Sequence, residues 1–232
     1  ANFNRMVKEL GATETLQTDF ISSVSHEFKT PINAIEGYAA LLQDHQQTPE
    51  EQETYIEKIL FNTRRLSTLT GNILLLSKIN NQSISPQSSV FRLDEQVRQA
   101  ILALERKWEE KDIQFDVDLD KITYTGYEKL LIHVWTNLID NAIKFSHPDS
   151  KITIETTSKY EKVFVSVRDT GIGIPKDSLK KIWERFYKTD LSRGKDKKGT
   201  GLGLSIVKEI IQLHGENINV VSTEGVGTEF IF

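Results

Sequence analysis

The sequence contains no cysteine, only 5 prolines and no long hydrophobic run. The absence of cysteine excludes disulfide bonds, zinc–thiolate sites and catalysis by a thiol, and it is compatible with a reducing compartment. No apolar run approaches the roughly 18 residues of a membrane span, and no signal peptide is visible. Positive charge is not in excess either: the formal net charge is −4, which gives no reason to expect nucleic acid as a partner.

The 232 residues suffice for one or two domains, and 38% hydrophobic with 27% charged residues is the composition of a globular protein with a packed core. The chain begins at Ala1 rather than at methionine, which indicates a piece of a longer protein. The missing membrane segment therefore says little about the parent protein.

The first third of the chain has helical periodicity. Apolar residues recur at steps of three and four over about 13–44 and again over 49–79, which predicts two long helices. Thr48 as N-cap, Pro49 at the first helical position and Glu51 three residues after the cap mark the second helix start. Two such helices form a hairpin with one apolar seam, and a single hairpin cannot enclose a core. The pattern therefore predicts a four-helix bundle made by two copies of the chain.

After a polar linker at 81–89, the hydrophobic pattern changes from that of two long helices to that of mixed short helices and strands. The patterns predict helices at about 94–111, 127–145 and 203–214, and strands at 90–93, 113–119, 122–125, 151–157 and 162–169, with two more at the end of the chain. This mixture predicts an α+β sandwich over 90–232. Residues 1–12 read as the end of one helix that runs into the next.

The candidate reactive group of the hairpin is His26, within the stretch from Ser25 to Pro31. It falls off the apolar stripe and should face solvent beside Glu27. Because Pro31 donates no helical hydrogen bond, it frees the carbonyl of Glu27 and should bend the helix there. An exposed imidazole beside a carboxylate can act as a nucleophile with a neighbouring base. Taken alone, however, the stretch is explained better by a surface histidine of an amphipathic helix.

Three stretches of the second region have residues suited to phosphate. In the first, Asn137, Asn141 and Lys144 are spaced four and three apart and share one helix face. Two amides and an ammonium can coordinate a metal and neutralise phosphate oxygens without titrating. A solvated polar face is the alternative for this triplet.

The second stretch consists of Asp169, Gly171 and Gly173 with the residues between them, directly after a predicted strand. Its glycines let the backbone approach a planar ligand closely. The carboxylate can accept a hydrogen bond from an exocyclic amine such as that of adenine. A plain turn after an edge strand is the alternative.

The third stretch, Lys198 to Ser205, is rich in glycine and opens a predicted helix. Backbone N–H groups at a helix start can bind anionic oxygens with the help of the helix dipole. The spacing is neither the dinucleotide-binding fingerprint nor a P-loop. The polar tract at 184–198 is long enough to act as a lid, and its Arg193 is a candidate to reach phosphate.

In this order, the stretches resemble the catalytic region of the two-component sensor histidine kinases. The text from Ser25 to Pro31 is similar to the family's phosphoacceptor box, with Phe28 and Lys29 where leucine and arginine are more usual. The family has four ATP-domain boxes, and these are similar, in order, to the segments around Asn137, Asp169, Phe186 and Gly199–Gly203. Residues 1–10 also resemble the last helix of a HAMP signalling module.

The resemblance implies four segments: the end of a HAMP-like upstream helix at 1–12, a dimerisation and histidine-phosphotransfer hairpin at 13–80, a linker at 81–89, and an ATP-binding domain at 90–232. It implies for the last segment the α/β sandwich shared by histidine kinases, gyrase and chaperone ATPases. It also implies a cytoplasmic region of a membrane-anchored bacterial sensor, attached to the membrane only through segments outside this chain.

The resemblance assigns roles to residues of the hairpin. It implies that His26 is the phosphoacceptor and that Glu27 accepts or orients its proton. It implies that Thr30 positions water when the phosphorylated partner is dephosphorylated. The implied partners are the receiver domain of a response regulator and a second copy of the chain.

The resemblance also assigns the ligands of ATP and Mg²⁺. Asn137 is implied as the magnesium ligand, Asn141 and Lys144 as phosphate ligands, Phe145 as the neighbour of adenine, and Asp169 as the partner of its amine. The other implied nucleotide contacts are Gly171, Gly173, Arg193, Gly199, Thr200, Gly201, Leu202 and Gly203.

Two other kinds of protein compete with this interpretation. One is a clamp-type ATPase of the related nucleotide fold, which hydrolyses ATP with a carboxylate on the helix of Asn137. Asp140 is offset from the Asn137 face, which disfavours hydrolysis. The other is a non-catalytic dimeric scaffold with degenerate boxes, and no box here lacks a residue that the chemistry needs.

Overall fold

The computed structural model describes the backbone of residues 2–43, 47–80, 87–160, 162–189 and 199–232, and within these ranges the side chains from residue 18 onward. The chain divides into two compact units, Ala1–Ile73 and Leu74–Phe232. The helices are α1 (Asn2–Leu42), α2 (Pro49–Asn80), α3 (Leu93–Leu102), α4 (Glu105–Glu109), α5 (Glu128–Phe145) and α6 (Gly203–Leu213). The strands are β1 (Ser89–Arg92), β2 (Gln114–Leu119), β3 (Thr123–Gly126), β4 (Lys151–Lys159), β5 (Lys162–Asp169), β6 (Asn219–Thr223) and β7 (Gly227–Ile231).

α1 and α2 correspond to the two long helices that the periodicity predicts, except that α1 begins at Asn2 instead of near residue 13. Residues 2–12, predicted as the end of a preceding helix, are thus part of α1 itself. α2 begins at the predicted capping box, in which the Thr48 N–H donates to Glu51 Oε2 at 2.9 Å and the Glu51 N–H donates to the Thr48 hydroxyl at 3.2 Å. Tyr38 and Tyr55 stack between the two helices with ring centroids 5.8 Å apart. α1 continues through Pro31, and the bend expected there stays a prediction. Among the described residues, no helix is both long and apolar enough to cross a bilayer.

The second unit is built on a five-stranded sheet in the order β2-β4-β5-β7-β6. β2 runs parallel to β4, and the other neighbours are antiparallel. β1 and β3 form a separate antiparallel pair. α5 packs on β5 and against α3 and α6, so the helices form the second layer of the predicted α+β sandwich. The predicted fold class is therefore confirmed.

One predicted helix is wrong. The stretch 94–111 is not continuous, because the chain turns at Ala103 and Leu104 between α3 and α4. The turn buries the Leu104 side chain. The carbonyl of Ile101 at the break accepts hydrogen bonds from the Leu104 N–H at 3.1 Å and from Trp108 Nε1 at 3.2 Å. A tryptophan indole thus replaces a helical N–H, which periodicity alone does not reveal.

α5 is fixed in the core of the second unit by its apolar face. Trp135 stacks on Phe232 with ring centroids 5.6 Å apart, and its Nε1 donates to Gln96 Oε1 at 2.7 Å. The Gln96 amide in turn donates to the carbonyl of Glu128 at 2.8 Å. Because this face is enclosed, the opposite face of α5 is presented outward. The most enclosed residues of α5, at most 1% exposed, are Val134, Trp135, Leu138 and Ile139.

A buried carboxylate ties α3 to the approach of β3. Asp94 is fully buried and accepts hydrogen bonds from Arg92 Nε at 2.8 Å, from Arg98 Nη1 at 2.9 Å and from the Ile122 N–H at 3.4 Å. The Arg92 hydrogen bonds, helped by Arg98, outweigh the effect of burial and hold the pKa of the Asp94 carboxyl well below its usual value.

We predict that Asp94→Ala lowers the free energy of unfolding by about 2 kcal/mol near neutral pH, because hydrogen bonds to a buried charged group contribute about this much. The folded-state pKa of Asp94 lies below the unfolded value of 3.8, so its ionised form stabilises the fold above that value. This stabilisation is lost as the pH falls below 3.8. Urea unfolding followed by circular dichroism, at neutral pH and below 3.8, measures both effects.

Asp118→Ala is the matched control, because Asp118 is an exposed aspartate on β2. We expect it to change the stability little at either pH. A stability difference between Asp94→Ala and the wild type that did not shrink on acidification would contradict the role given to the Asp94 charge.

Candidate functional site

The polar face of α5 carries the first set of candidate site residues. Asn137, Asn141 and Lys144 are partly exposed, whereas Leu138 and Ile143 between them are buried. The predicted division of this helix into a packed face and a polar face is therefore present. Asp140 points elsewhere, since its Oδ1 lies 2.5 Å from Lys107 Nζ of α4.

Asn137 presents an oxygen next to the start of α6. Its Nδ2 donates to the carbonyl of His133 one turn earlier, at 2.7 Å, which orients the amide. A methyl group built on Gly203, the first residue of α6, would lie 2.6 Å from Asn137 Oδ1. Only glycine therefore leaves room beside this oxygen. Partial desolvation lowers the pKa of the His133 imidazole.

Lys144 reaches the glycine-rich stretch from the end of α5. Its Nζ lies 4.6 Å from the ring centroid of Phe145, and a methyl group built on Gly199 would lie 2.5 Å from that Nζ. Gly199 has a φ of 125°, which favours glycine as well. The first and third predicted stretches thus meet at Lys144.

Asp169 ends β5 and is buried, with 8% of its surface exposed. Its Oδ1 accepts hydrogen bonds from the Gly171 N–H at 2.9 Å and the Thr228 N–H at 3.3 Å. Burial raises the pKa of the Asp169 carboxyl, and these two hydrogen bonds offset part of that effect. The carboxylate is therefore held rigidly at the strand end, and its Oδ2 is the oxygen suited to a ligand.

The loop after Asp169 lies against the end of α5. The Ile172 N–H donates to the carbonyl of Phe145 at 3.1 Å, and a methyl group on Gly171 would lie 2.3 Å from that carbonyl oxygen. Gly173 has a φ of 67° and approaches the carbonyl of Thr223 in the same way. The second predicted stretch therefore joins the first at Phe145.

The glycine-rich stretch is anchored by two buried side chains, those of Thr200 and Leu202. Thr200 is buried, and its hydroxyl accepts a hydrogen bond from the Leu202 N–H at 3.3 Å. Leu202 is fully buried, so only its backbone can face a nucleotide. Gly201, with a φ of 76°, accepts a hydrogen bond from the Phe186 N–H at 2.9 Å. Arg193 lies outside the described residues.

In the hairpin, the candidate His26 is exposed, whereas the neighbouring candidate Glu27 is partly buried. His26 is exposed, and its carbonyl accepts a hydrogen bond from the Thr30 hydroxyl at 3.3 Å. Glu27 Oε2 forms an ion pair with Arg65 Nη2 of α2 at 3.0 Å, and only 16% and 13% of the two side chains are exposed. Since consecutive helical residues do not face each other, Glu27 points across to α2 while His26 points to solvent.

Sequence reasoning missed two cations of the site. Arg65 was not singled out, although a charged residue that interrupts the apolar seam of a helix is a signal for a cross-helix partner. Lys111 binds the end of α5, and its carbonyl partners lie 32 to 35 residues further along the chain. No local pattern predicts a contact at that separation.

The comparisons with known proteins agree with this arrangement. Residues 126–232 match the family described as histidine kinase-, DNA gyrase B- and HSP90-like ATPases, and residues 16–82 match the His Kinase A phospho-acceptor domain. The fold and the site thus define a protein that joins a phosphoacceptor hairpin to an ATP-binding domain.

The relatives are sensor histidine kinases. YkoH of Bacillus subtilis is 34% identical over 227 residues, which is 97% of this chain and 49% of YkoH. The catalytic domain of the histidine kinase ThkA is 33% identical, with a TM-score of 0.55 over 63% of this chain and 95% of that domain. ThkA in complex with the response regulator TrrA is 27% identical, with a TM-score of 0.73 over 95% of this chain and 62% of ThkA.

The chain belongs to the sensor histidine kinase family of two-component systems. The family match also assigns ATP binding to residues 126–232. The chain spans about half the length of the curated relatives that it matches.

We predict that Gly203→Ala weakens ATP binding by about tenfold while the fold is kept, because a displaced ligand group commonly costs this much. The added methyl group would displace Asn137 Oδ1, which is the end of a flexible side chain. Alanine in the first turn of α6 should not reduce helix stability. Isothermal titration with a non-hydrolysable ATP analogue and thermal unfolding measure the two properties separately.

Gly71→Ala is the matched control, since Gly71 is a helical glycine of α2 with open space around its Cα. It should leave the affinity for the analogue unchanged. Unaltered affinity in Gly203→Ala would show that Asn137 Oδ1 does not contribute to the nucleotide site.

Proposed function

We propose that this chain is the catalytic region of an ATP-dependent protein-histidine kinase that phosphorylates its own His26 and passes the phosphoryl group to an aspartate of a response regulator. The domain limits that follow are a hairpin at 13–80, a linker at 81–89 and an ATP-binding domain at 90–232, with 1–12 as the end of an upstream signalling helix. Residues 81–86 of the linker lie outside the described residues.

The observation that carries the proposal is the convergence of three stretches along the second half of α5. Lys144 lies against Gly199, Asn137 lies against Gly203, and the Phe145 carbonyl binds the loop after Asp169. The ammonium and the backbone N–H groups at the start of α6 suit a triphosphate, and Asn141 lies on the same face of α5 as Lys144. The buried carboxylate of Asp169 suits the amine of adenine, with Phe145 beside the ring.

The residues present also fit a magnesium ion. Asn137 offers an amide oxygen, because its nitrogen is occupied by the carbonyl of His133. Among the described residues there is no cluster of three or more histidines, cysteines or carboxylates that could hold a metal. Magnesium that is bound together with a nucleotide usually takes only one or two protein oxygens and completes its shell with phosphate and water. When bound there, it would neutralise charge on the phosphates.

The proposed reaction needs positioning more than covalent help from the protein. A ring nitrogen of His26 forms a bond to the γ-phosphorus while the bond from that phosphorus to the β,γ-bridging oxygen breaks, and ADP leaves. The exposure of His26 supports its role as acceptor. We propose that Glu27 accepts or orients the proton of the His26 imidazole, which requires its carboxylate to leave the ion pair with Arg65 that holds it towards α2.

The proposed partners are a receiver domain and a second copy of the chain. The similar kinase ThkA has been crystallised with the response regulator TrrA. The hairpin exposes apolar side chains that a monomer would leave in water, which supports a dimeric four-helix bundle. These side chains are 38% to 57% exposed and comprise Ile21, Ile32, Leu41, Ile56, Leu60 and Phe61. Thr30 is proposed to position water when the same kinase dephosphorylates its partner.

A clamp-type ATPase is disfavoured by the position of Asp140. The carboxylate of Asp140 is engaged in an ion pair with Lys107 of α4. It is therefore poorly placed to activate water at a phosphate group. Net ATP hydrolysis without a phosphorylated intermediate would favour this alternative.

We predict that incubation with γ-labelled ATP and Mg²⁺ labels the wild-type protein and that His26→Gln abolishes the label, because the variant lacks the nucleophilic nitrogen. The label on the wild type should be lost in acid, as expected for phosphohistidine. Gel autoradiography combined with mass spectrometry of the labelled peptide locates the group.

His147→Gln serves as the matched control, because His147 is also exposed and its loss should leave labelling unchanged. Full labelling of His26→Gln, or a label that survives acid, would refute the assignment. A receiver domain added to the labelled wild type should then acquire the label from it.

A further inference from the structure

The C-terminal end of α5 has a negative electrostatic potential, which disfavours the binding of a nucleotide nearby. The last carbonyls of a helix have no partner within it and form the negative end of the helix dipole. On α5 these carbonyls belong to the same turn as Lys144 and Phe145. A polyanion bound nearby requires both a fixed backbone and compensation of this negative charge.

Lys111 both fixes this backbone and supplies the compensating positive charge. Lys111 Nζ donates to the carbonyls of Ile143 at 2.7 Å, Lys144 at 3.0 Å and Ser146 at 2.9 Å. An ammonium has three N–H donors, so these three bonds match its capacity. The carbonyl of Phe145, between them, accepts the Ile172 N–H at 3.1 Å. The carbonyls of the last three residues of α5 and of Ser146 after it therefore all have a partner.

Lys111 is itself held by a tight turn. After α4, the Asp112 N–H donates to the carbonyl of Glu109 at 3.0 Å and the Ile113 N–H donates to that of Trp108 at 3.0 Å. Asp112 adopts a left-handed φ of 53°, which closes the turn. The carbonyl of Lys111 accepts the Asp149 N–H at 3.0 Å. The backbone on both sides of the lysine is thus fixed relative to the segment that it binds.

We propose that Lys111 is a positioning residue for nucleotide binding. It holds the last turn of α5 in the place where Lys144 meets Gly199 and where the Phe145 carbonyl meets the loop after Asp169. Its positive charge also offsets the negative end of the helix dipole next to the bound phosphates. Lys111 need not touch the nucleotide for either effect. The inference rests on the proposed ATP site and adds a residue that none of the four ATP-domain boxes contains.

The test is the affinity of Lys111→Met for a non-hydrolysable ATP analogue with Mg²⁺, measured by isothermal titration well below the thermal transition of the free variant. Methionine keeps the length and apolar stem of the side chain and removes the ammonium. We expect the affinity to fall roughly tenfold or more, because a small misplacement of binding groups has an effect of this size. In autophosphorylation assays, the KM for ATP should rise more than kcat falls.

Lys129→Met is the matched control, because Lys129 is an exposed lysine in the first turn of the same helix. It should bind the analogue as the wild type does. If Lys111→Met does not fold, it is replaced by Lys111→Gln, which has an uncharged amide with two N–H donors, and the same loss of affinity is expected. A purely structural role would lower the melting temperature of the free protein and leave the affinity of the folded protein unchanged.

The outcomes distinguish a failure of the proposed ATP site from a failure of the role given to Lys111. If the wild type itself fails to bind the analogue, the proposed function is overturned. If the wild type binds and the folded Lys111 variant binds within about twofold of it, only the role of Lys111 is overturned. Weakened binding in the Lys111 variant alone supports the inference.

Discussion

The placement of α5 is the constraint on which the second unit depends. Its enclosed face, with Trp135 stacked on Phe232, fixes the helix within the sandwich, and its outward face carries Asn137, Asn141 and Lys144. The final turn is the point at which the loop after Asp169 and the glycine-rich stretch come together. Glycine is required at these contacts because side chains would separate the three segments. The site is therefore a consequence of helix packing rather than of one flexible loop.

The proposed chemistry is divided between the two units. All the proposed nucleotide contacts among the described residues come from the second unit, whereas His26, the proposed acceptor, lies in the first. This division suits phosphoryl transfer, in which the protein contributes orientation and charge neutralisation more than bond making. It also explains why an exposed histidine is useful here: a buried one could receive neither a phosphoryl group nor a receiver domain. The ion pair between Glu27 and Arg65 fixes the helix surface next to it.

Sequence patterns predicted the elements and the order of the site stretches well, because apolar periodicity, the capping box at Thr48 and the glycine-rich stretch are local signals. The family resemblance was confirmed by the comparisons. The break after Leu102 was not predicted, because a distant indole replaces the helical hydrogen bond there. Lys111 and Arg65 were missed for a related reason: each acts on carbonyls or a carboxylate far away in sequence. Arg193 stays a prediction, since it lies outside the described residues.

The most direct test of the account is a ¹H–¹⁵N NMR titration of the full chain with Mg²⁺ and a non-hydrolysable ATP analogue. We expect the largest shift changes at the amides around Asn137, Lys144, Gly171 and Gly203, which approach one another only in the folded second unit. Amides on the outer face of the sheet, such as those of Glu155 and Phe164, should change little. Large changes confined to that outer face, with none at the end of α5, would contradict the placement of the nucleotide site.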